Sequence, residues 1–158
     1  MPTPANLQIR AATAADRGAC LRLLTAQLRE HQLPIDDDGI ARGVELALMH
    51  GSTAWLVLAL SHGLPAGILL ANPIVSVEHG GPSLWIEELY VAPEQRRRGV
   101  ARALCQFVVD EGRQHGVRSI ELQVVPTQKA ALGLYRAMGF VPSDRIAHVL
   151  DLAAPRAS

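Results

Sequence analysis

The spacing of apolar and polar residues follows two periods along the chain, and these periods predict where strands and helices lie. Alternating or short continuous apolar runs predict six strands, at 7–10, 53–60, 65–70, 84–91, 119–125 and 146–152. Apolar residues spaced three or four apart predict four helices. The helices lie between Thr13 and Pro34, between the turn at 36–39 and Gly51, between Val100 and Gly116, and between Gln128 and Gly139. The resulting order, β-α-α-β-β-β-α-β-α-β, favours one mixed sheet with helices on both faces.

Two local signals mark helix ends. Thr13 and Asp16 have the spacing of a capping box at the start of the first helix. Gly139 follows the last helix and suits the position just beyond a helix C-terminus.

Composition limits the classes of function. A chain of 158 residues, 49% hydrophobic and 19% charged, is the size of one domain with a substantial core. Its 15 basic and 15 acidic residues cancel, so no overall charge attracts nucleic acid or an anionic membrane. No apolar run approaches the roughly 20 residues of a membrane span, and the N-terminal residues lack the pattern of a signal peptide. We therefore expect a cytoplasmic protein that binds neither nucleic acid nor membrane.

The cysteines and histidines indicate neither a disulfide nor a metal site. Cys20 and Cys105 are far apart and have no Cys-x-x-Cys spacing, so we expect both to be reduced residues of the core. The 6 histidines show no metal-ligand spacing, and no metal is expected.

The basic turn between the fourth predicted strand and the third predicted helix is the clearest candidate for chemistry. Arg96, Arg97 and Arg98 precede Gly99, and Val100 opens the helix. The first N–H groups of a helix have no intrahelical partner and carry partial positive charge, so they bind anions such as phosphate. Because Gly99 has no Cβ, its backbone can approach a pyrophosphate closely or adopt a positive φ.

Three segments resemble one family. The order Arg-x-x-Gly-x-Ala at 96–101 resembles the acetyl-CoA signature of the GNAT superfamily of N-acetyltransferases. The segment ALGLYRAMGF at 131–140 is similar to its late A..LY...GF pattern, and WIEELYV at 85–91 looks like the LEDLYV strand of its diamine and small-amine branch. The resemblance implies a single acyl-CoA N-acyltransferase domain over 1–158, with a core of about 7–152. It also implies a mixed, mostly antiparallel α/β sheet and acetyl-CoA as co-substrate.

The resemblance further implies which residues hold acetyl-CoA. Backbone amides of the basic turn would hold the pyrophosphate, and the end of the fourth strand would pair with the pantetheine arm. The implied donor-binding residues are Leu89, Tyr90, Val91, Arg96, Arg97, Arg98, Gly99, Val100, Ala101, Arg102 and Gln128. Two of them depart from the family pattern: Arg97 stands where many relatives have glycine, and Gln128 stands where many have asparagine.

Acetyl transfer to an amine needs a proton acceptor for the amine and a proton donor for the leaving thiolate. Tyr135 is the candidate acid, because a phenol with a pKa of about 10 stays protonated at neutral pH. The alternative is that its ring only packs beside Leu134 and Met138. Glu87 and Glu88 interrupt an apolar strand and point to opposite faces. The resemblance favours Glu87 as the base, while Glu88 and a water chain stay open as alternatives.

We therefore expect an N-acetyltransferase that moves an acetyl group from acetyl-CoA to the primary amine of a small metabolite, such as a diamine or an amino acid. Asp36, Asp37 and Asp38 could attract a cationic amine, although capping of the second helix explains them equally well. The alternatives are a protein or peptide N-acetyltransferase and a non-catalytic acyl-CoA-binding module. Because relatives often pair, the resemblance also admits a homodimer.

Overall fold

The computed structural model of the protein describes residues 6–34 and 36–153. Its contacts divide the chain into two compact units, one ending at Gln123 and one beginning at Val124. The single domain over 1–158 stays a prediction.

The first unit carries the sheet and three α-helices. In chain order its elements are β1 Leu7–Ala11, α1 Arg17–Glu30, α2 Asp37–Leu48, β2 Trp55–Ser61, β3 Leu64–Ser76, β4 Gly81–Val91, α3 Val100–Gln114 and β5 Ser119–Leu122. The second unit contains α4, Lys129–Ala137. Short 3-10 turns at Ala14–Asp16 and Pro93–Gln95 precede α1 and follow β4.

The sheet has 5 strands in the order β1-β2-β3-β4-β5. The first four strands pair antiparallel, and β5 pairs with β4 in parallel. A two-residue turn at His62 and Gly63, both with positive φ, joins β2 to β3, as the twist of a hairpin requires. The prediction of a mixed, mostly antiparallel sheet is confirmed.

Helices cover both faces of this sheet. Consecutive strand residues point to opposite faces, so Gly67 faces α3 while Ile68 faces α1. A Cβ on Gly67 would lie 2.8 Å from the Tyr90 carbonyl oxygen and 3.2 Å from the side chains of Val100 and Leu104. The bare glycine therefore lets the first turns of α3 settle against β3.

The core on the α1 face is apolar and continuous. Its buried members are Cys20, Leu23, Leu24, Val44, Leu56, Leu58, Ile68, Tyr90 and Ala92. Both cysteines are free and buried, as predicted, and burial raises the pKa of the Cys20 thiol to about 11 and that of Cys105 to about 12.

The predicted capping box is present. The Thr13 backbone N–H donates to Asp16 Oδ2 at 2.8 Å. The same carboxylate accepts two hydrogen bonds from Arg10, at 2.7 and 2.8 Å, and this pairing holds the pKa of Asp16 well below its usual range. The start of α1 is thus tied to β1.

Strand ends differ from the predictions for identifiable reasons. β3 runs on through Pro73 to Ser76, beyond the predicted end at 70. Its pairing with β2 stops at Ala71, so Pro73 lies where β3 has only one strand neighbour and a missing N–H is tolerated. β5 ends at Leu122 because its pairing with β4 stops there, opposite Ile86.

The predicted last strand at 146–152 is wrong. Among the described residues this segment has no regular structure and pairs with no strand. Its apolar side chains are exposed, with Ile146, Val149, Leu150 and Leu152 each more than 80% accessible. An apolar run forms a strand only if a neighbour satisfies the backbone N–H and C=O groups.

Candidate active site

The basic turn lies directly between β4 and α3, as the sequence predicts. Gly99 is the residue that precedes the helix and has φ +80°. A Cβ at this position would find no heavy atom of the described residues within 4 Å. The N-terminus of α3 is therefore uncovered on this side by the part of the chain described, and its first N–H groups can receive an anion.

Arg97 also adopts a left-handed conformation, with φ +60°. Such a backbone is unfavourable for a residue with a Cβ and costs about 1–2 kcal/mol. This explains why glycine is common at the position in the family that the sequence resembles. The chain keeps the turn geometry while adding a cation.

Three arginine side chains surround this helix end. Arg97, Arg98 and Arg102 are exposed, and none of them pairs with a carboxylate of residues 6–34 or 36–153. Arginine guanidinium groups bind phosphate oxygens well, often through two parallel hydrogen bonds. The side chains and the helix N-terminus thus add to the same positive field.

Arg96 is used differently. Its Nε donates to the Val91 carbonyl oxygen at 2.9 Å, and its guanidinium pairs with Glu30 at 2.5 Å. The guanidinium carbon also lies 5.5 Å from the centre of the Tyr90 ring, over its face. Arg96 links the end of α1 to the end of β4, so we expect its contribution to the donor site to come from its backbone and from holding the turn.

The Glu30 carboxylate completes this link. Tyr90 Oη donates to it at 3.4 Å, and Arg96 holds the pKa of Glu30 below its usual value. Burial, followed by the charge of Glu30, raises the pKa of Tyr90. Tyr90 is therefore a packed strand residue with its hydroxyl oriented toward α1.

A β-bulge separates the two strand glutamates. Leu70 of β3 is paired with Glu88, but the next residue, Ala71, is paired with Ile86. Glu87 is the extra residue and has no partner on β3. A bulge reorients side chains and ends regular pairing, and here the β4–β5 pairing also ends at Ile86. Beyond this point no strand of the described residues pairs with the β5 side of β4, where the pantetheine arm was predicted to bind through Leu89, Tyr90 and Val91.

The bulge gives the two carboxylates different environments. Glu88 is half-buried beneath α1, and its Oε2 accepts a hydrogen bond from Gln27 Nε2 at 2.6 Å. Burial, and then the charge of Glu87, raises the pKa of Glu88. Glu87 is exposed and accepts a long hydrogen bond of 3.4 Å from Asn72. The choice of Glu87 as base stays a prediction, but Glu88 has the surroundings that suit a base near neutrality.

Tyr135 lies in the second unit, near the end of α4, and is buried. The Phe140 N–H donates to the Tyr135 carbonyl oxygen at 3.0 Å, and the Gly139 N–H donates to the Arg136 carbonyl oxygen at 3.1 Å. This is the pattern of a Schellman motif, in which the residue after the glycine contacts the last turn. The Phe140 and Tyr135 rings make that contact, edge to face at 5.6 Å. The predicted helix stop at Gly139 is confirmed, and the ring partner of Tyr135 is Phe140.

Gln128 precedes the first residue of α4. Its backbone carbonyl accepts from Leu132 N at 3.0 Å and its N–H donates to the Val125 carbonyl at 2.9 Å. The backbone of Gln128 thus initiates the helix. Its contact with CoA stays a prediction.

The three aspartates at 36–38 are helix-start residues. Asp36 precedes α2, its carbonyl accepts from Ile40, and its carboxylate forms an exposed ion pair with Arg42 at 3.2 Å. Asp37 and Asp38 occupy the first turn of α2. The Asp36 side chain makes no capping hydrogen bond, so both the capping role and the attraction of a cationic amine stay predictions.

Gln27 and Glu30 on α1 were not among the predicted site residues. The buried residues of this helix are Cys20, Leu23, Leu24 and Gln27. Gln27 thus lies on the core side of the helix, at a spacing of three from Leu24. A polar residue at a core position of a helix was the available signal.

The chain is similar in sequence to known proteins. The model of the Acetyltransferase (GNAT) family matches residues 20–140. N-acetyltransferase 8B of Mus musculus is 32% identical over 92 residues, which are 58% of this chain and 39% of the mouse protein. The chain thus spans about two fifths of the length of this curated relative.

Solved structures share the fold. A possible acetyltransferase from Clostridium difficile 630 superposes with a TM-score of 0.82 at 18% identity, covering 94% of this chain and 99% of its own. AAC(6')-Iy, in complex with the bisubstrate analog CoA-S-monomethyl-acetylneamine, gives a TM-score of 0.79 at 21% identity and covers 93% and 99%. Among the described residues, no helix is long and apolar enough to span a membrane.

Proposed function

This chain belongs to the GNAT acetyltransferase family, and on that premise we propose that it transfers an acetyl group from acetyl-CoA to a primary amine. The observation that carries the proposal is the uncovered N-terminus of α3, with Gly99 at φ +80° and exposed arginines around it. This arrangement suits a pyrophosphate. AAC(6')-Iy, solved with an analog that contains CoA, supports a CoA donor on this fold.

The proposed reaction is direct. The amine nitrogen attacks the thioester carbonyl, a C–N bond forms, and the C–S bond breaks. A bound ammonium group loses one proton before the attack and a second proton after it, and the departing thiolate takes up one proton to give CoA. The protein must therefore supply a proton acceptor and a proton donor.

We assign the role of proton acceptor to Glu88, which would take the proton directly or through a water molecule. The carboxylate is half-buried and held by Gln27 at 2.6 Å. Burial raises its pKa, which brings its titration closer to neutral pH and makes it a better base than an exposed glutamate. Exposed Glu87 is the alternative that the family resemblance favours, and its charge would add to the attraction for a cationic amine.

We assign the donor to Tyr135. A phenol has an ordinary pKa of about 10 and is more acidic than an alkyl alcohol, so it can pass a proton to a thiolate as the C–S bond breaks. The Schellman motif at the end of α4 fixes the backbone of this residue, and Phe140 restrains its ring. Such restraint is what a general acid needs to act at a defined position.

We propose that a small cationic amine accepts the acetyl group. Two adjacent carboxylates at the bulge, one of them half-buried, favour an ammonium group over a neutral partner. A panel of diamines, amino acids, aminoglycosides and peptides with free N-termini tests this through release of free CoA. We expect transfer to at least one small amine. Acetyl-CoA binding without transfer to any amine would instead indicate a non-catalytic acyl-CoA-binding module, and transfer to peptides alone would indicate a peptide acetyltransferase.

A further inference from the structure

The Gln27 side chain is buried in an unusual way. It is 5% exposed on the inner face of α1, and its Nε2 donates to Glu88 Oε2 at 2.6 Å. Its other polar atom, Oε1, is also buried and has no hydrogen-bond partner among residues 6–34 and 36–153. Buried amide oxygens are normally paired, and leaving one unpaired lowers stability.

The orientation of this amide follows from the charge of its partner. An ionised carboxylate only accepts hydrogen bonds, so the NH₂ group of Gln27 must face Glu88. That requirement turns Oε1 away, toward a place where it finds no donor. A residue retained for packing alone would be better replaced by an apolar side chain of the same size. The cost makes sense if the contact with Glu88 is needed.

We propose that Gln27 is a positioning residue for Glu88, holding its carboxylate in one place and in the proton-accepting form. This inference rests on the assignment of Glu88 as the base in the proposed function. It adds a residue on a different element, 61 positions away in sequence. This residue would set the pH range in which Glu88 is ionised and can accept a proton.

The charges around Glu88 fit this role. Burial and the neighbouring charge of Glu87 both raise the pKa of Glu88, whereas the Gln27 hydrogen bond lowers it. The strand partner on β3 is the apolar Leu70. Other ionisable groups at this end of α1 and β4 include Glu30, Tyr90 and Arg96, which are bonded to one another, and Arg29 and His31 at the end of α1. Gln27 is therefore the contact that opposes protonation of the base.

The test compares two substitutions at position 27. Gln27→Met keeps the length but removes both the N–H donor and the unpaired oxygen. A hydrogen bond to a charged group corresponds to a shift of about 1–2 pH units. We expect the acidic limb of the kcat/KM profile to move to higher pH by that amount. The KM for acetyl-CoA should stay unchanged, and the melting temperature should not fall. Gln27→Glu places a second carboxylate beside Glu88 and should move the limb further, because one proton is then shared.

The matched control is Gln106→Met. Gln106 on α3 also donates to a carboxylate, Asp110, at 2.9 Å, but on an exposed helix surface. It should leave the pH profile unchanged. If both substitutions at position 27 lower stability without moving the acidic limb, Gln27 has a packing role and the proposal is overturned.

A second readout does not require activity. Carbon NMR of labelled glutamate, with the Glu88 carboxyl signal assigned by its loss in Glu88→Gln, gives the titration midpoint of this group. The midpoint should rise from the parent to Gln27→Met and again to Gln27→Glu. An unchanged midpoint overturns the proposal even if the enzyme is active. A protein that shows the rise but acetylates no amine would contradict the proposed function and leave the control of Glu88 by Gln27 intact.

Discussion

The donor turn and the glutamate bulge, two neighbouring parts of the first unit, are built on opposite principles. In the donor turn, residues 96–102 are contiguous, and the essential groups are backbone N–H donors at a helix N-terminus. At the bulge, the essential group is a side chain, and its environment comes from a register shift in the sheet and from a distant helix. Substitutions that change only a side chain should therefore matter little in the turn and greatly where proton transfer occurs.

The largest effect is expected at Tyr135. Tyr135→Phe removes one oxygen and retains the edge-to-face contact with Phe140. General-acid assistance is typically worth a factor of about 10²–10⁴, so kcat should fall within that range while the KM for acetyl-CoA changes little. Steady-state kinetics with the best amine of the panel measures this.

Phe140→Leu is the companion variant. It removes the ring contact and leaves the hydroxyl in place, so it should lower the melting temperature more than Tyr135→Phe does. A Tyr135→Phe enzyme within twofold of the parent would mean that Tyr135 is a packing residue and that the thiolate leaves without its help.

The next effect separates the two strand carboxylates. Glu88→Gln should lower kcat by about 10²-fold, at the low end for general-base catalysis because water can take the proton. Since burial raises the pKa of Glu88, the parent should lose activity as the pH falls through that raised value. Its acidic limb should thus lie above the ordinary glutamate pKa of about 4.3. In Glu88→Gln this limb should flatten, whereas Glu87→Gln should keep it. The reverse result would return the base to Glu87.

In the donor turn, the expected effect depends on backbone conformation. Gly99→Ala introduces a Cβ at φ +80°, which strains the turn by about 1–2 kcal/mol. The backbone can relieve this strain by moving the amide groups that would hold the phosphates. We therefore expect the KM for acetyl-CoA to rise about tenfold or more. Gly116→Ala is the matched control, since Gly116 also has positive φ but follows the other end of α3. It should lower stability similarly and leave this KM unchanged. Equal KM changes would mean that Gly99 matters only for folding.

The link between α1 and the turn should have a smaller effect. Glu30→Gln removes the ion pair with Arg96. The side chains of Glu30 and Arg96 are 41% and 39% exposed, so the loss of stability should be about 0.5–1 kcal/mol. Arg96 holds the pKa of Glu30 below its usual value. The stabilisation is therefore present above the unfolded pKa of Glu30 and is lost as the pH falls through the lowered folded value. Melting temperatures of parent and variant should converge in acid. A difference that persists there would exclude the ion pair as its cause.

The smallest expected effect is a gain in stability. Arg97→Gly relieves a left-handed residue in the turn and should stabilise the protein by up to about 1 kcal/mol, or about 2–4 °C in melting temperature. Arg98→Gly removes the same charge at a residue outside the left-handed region and should not stabilise. If the two variants shift alike, charge rather than backbone strain determines the stability of the turn.

The same contrast explains how much could be predicted from sequence. The donor turn, the capping box at Thr13 and Asp16, and the helix stop at Gly139 depend on residues close in sequence, and their local geometry followed from the residues present. The bulge could not be predicted in this way, because its position is a property of two paired strands.

Side chains that meet across the fold were equally hidden. The Gln27–Glu88 and Glu30–Arg96 contacts join residues 61 and 66 positions apart, and no local pattern pairs them. The segment at 146–152 fails for a related reason. Its apolar run has the length of a strand, but pairing requires a neighbour that the sequence pattern does not specify.

Backbone amide NMR of the protein with acetyl-CoA tests the central claim most directly, because that claim assigns the donor phosphates to the first N–H groups of α3. On titration with acetyl-CoA, the amide signals of residues 99–102 should show the largest shifts, while those of the last turn of α3 stay in place. The same titration with Gly99→Ala should need more acetyl-CoA to reach the same shifts. Binding of acetyl-CoA that leaves the signals of 99–102 unmoved would contradict the account.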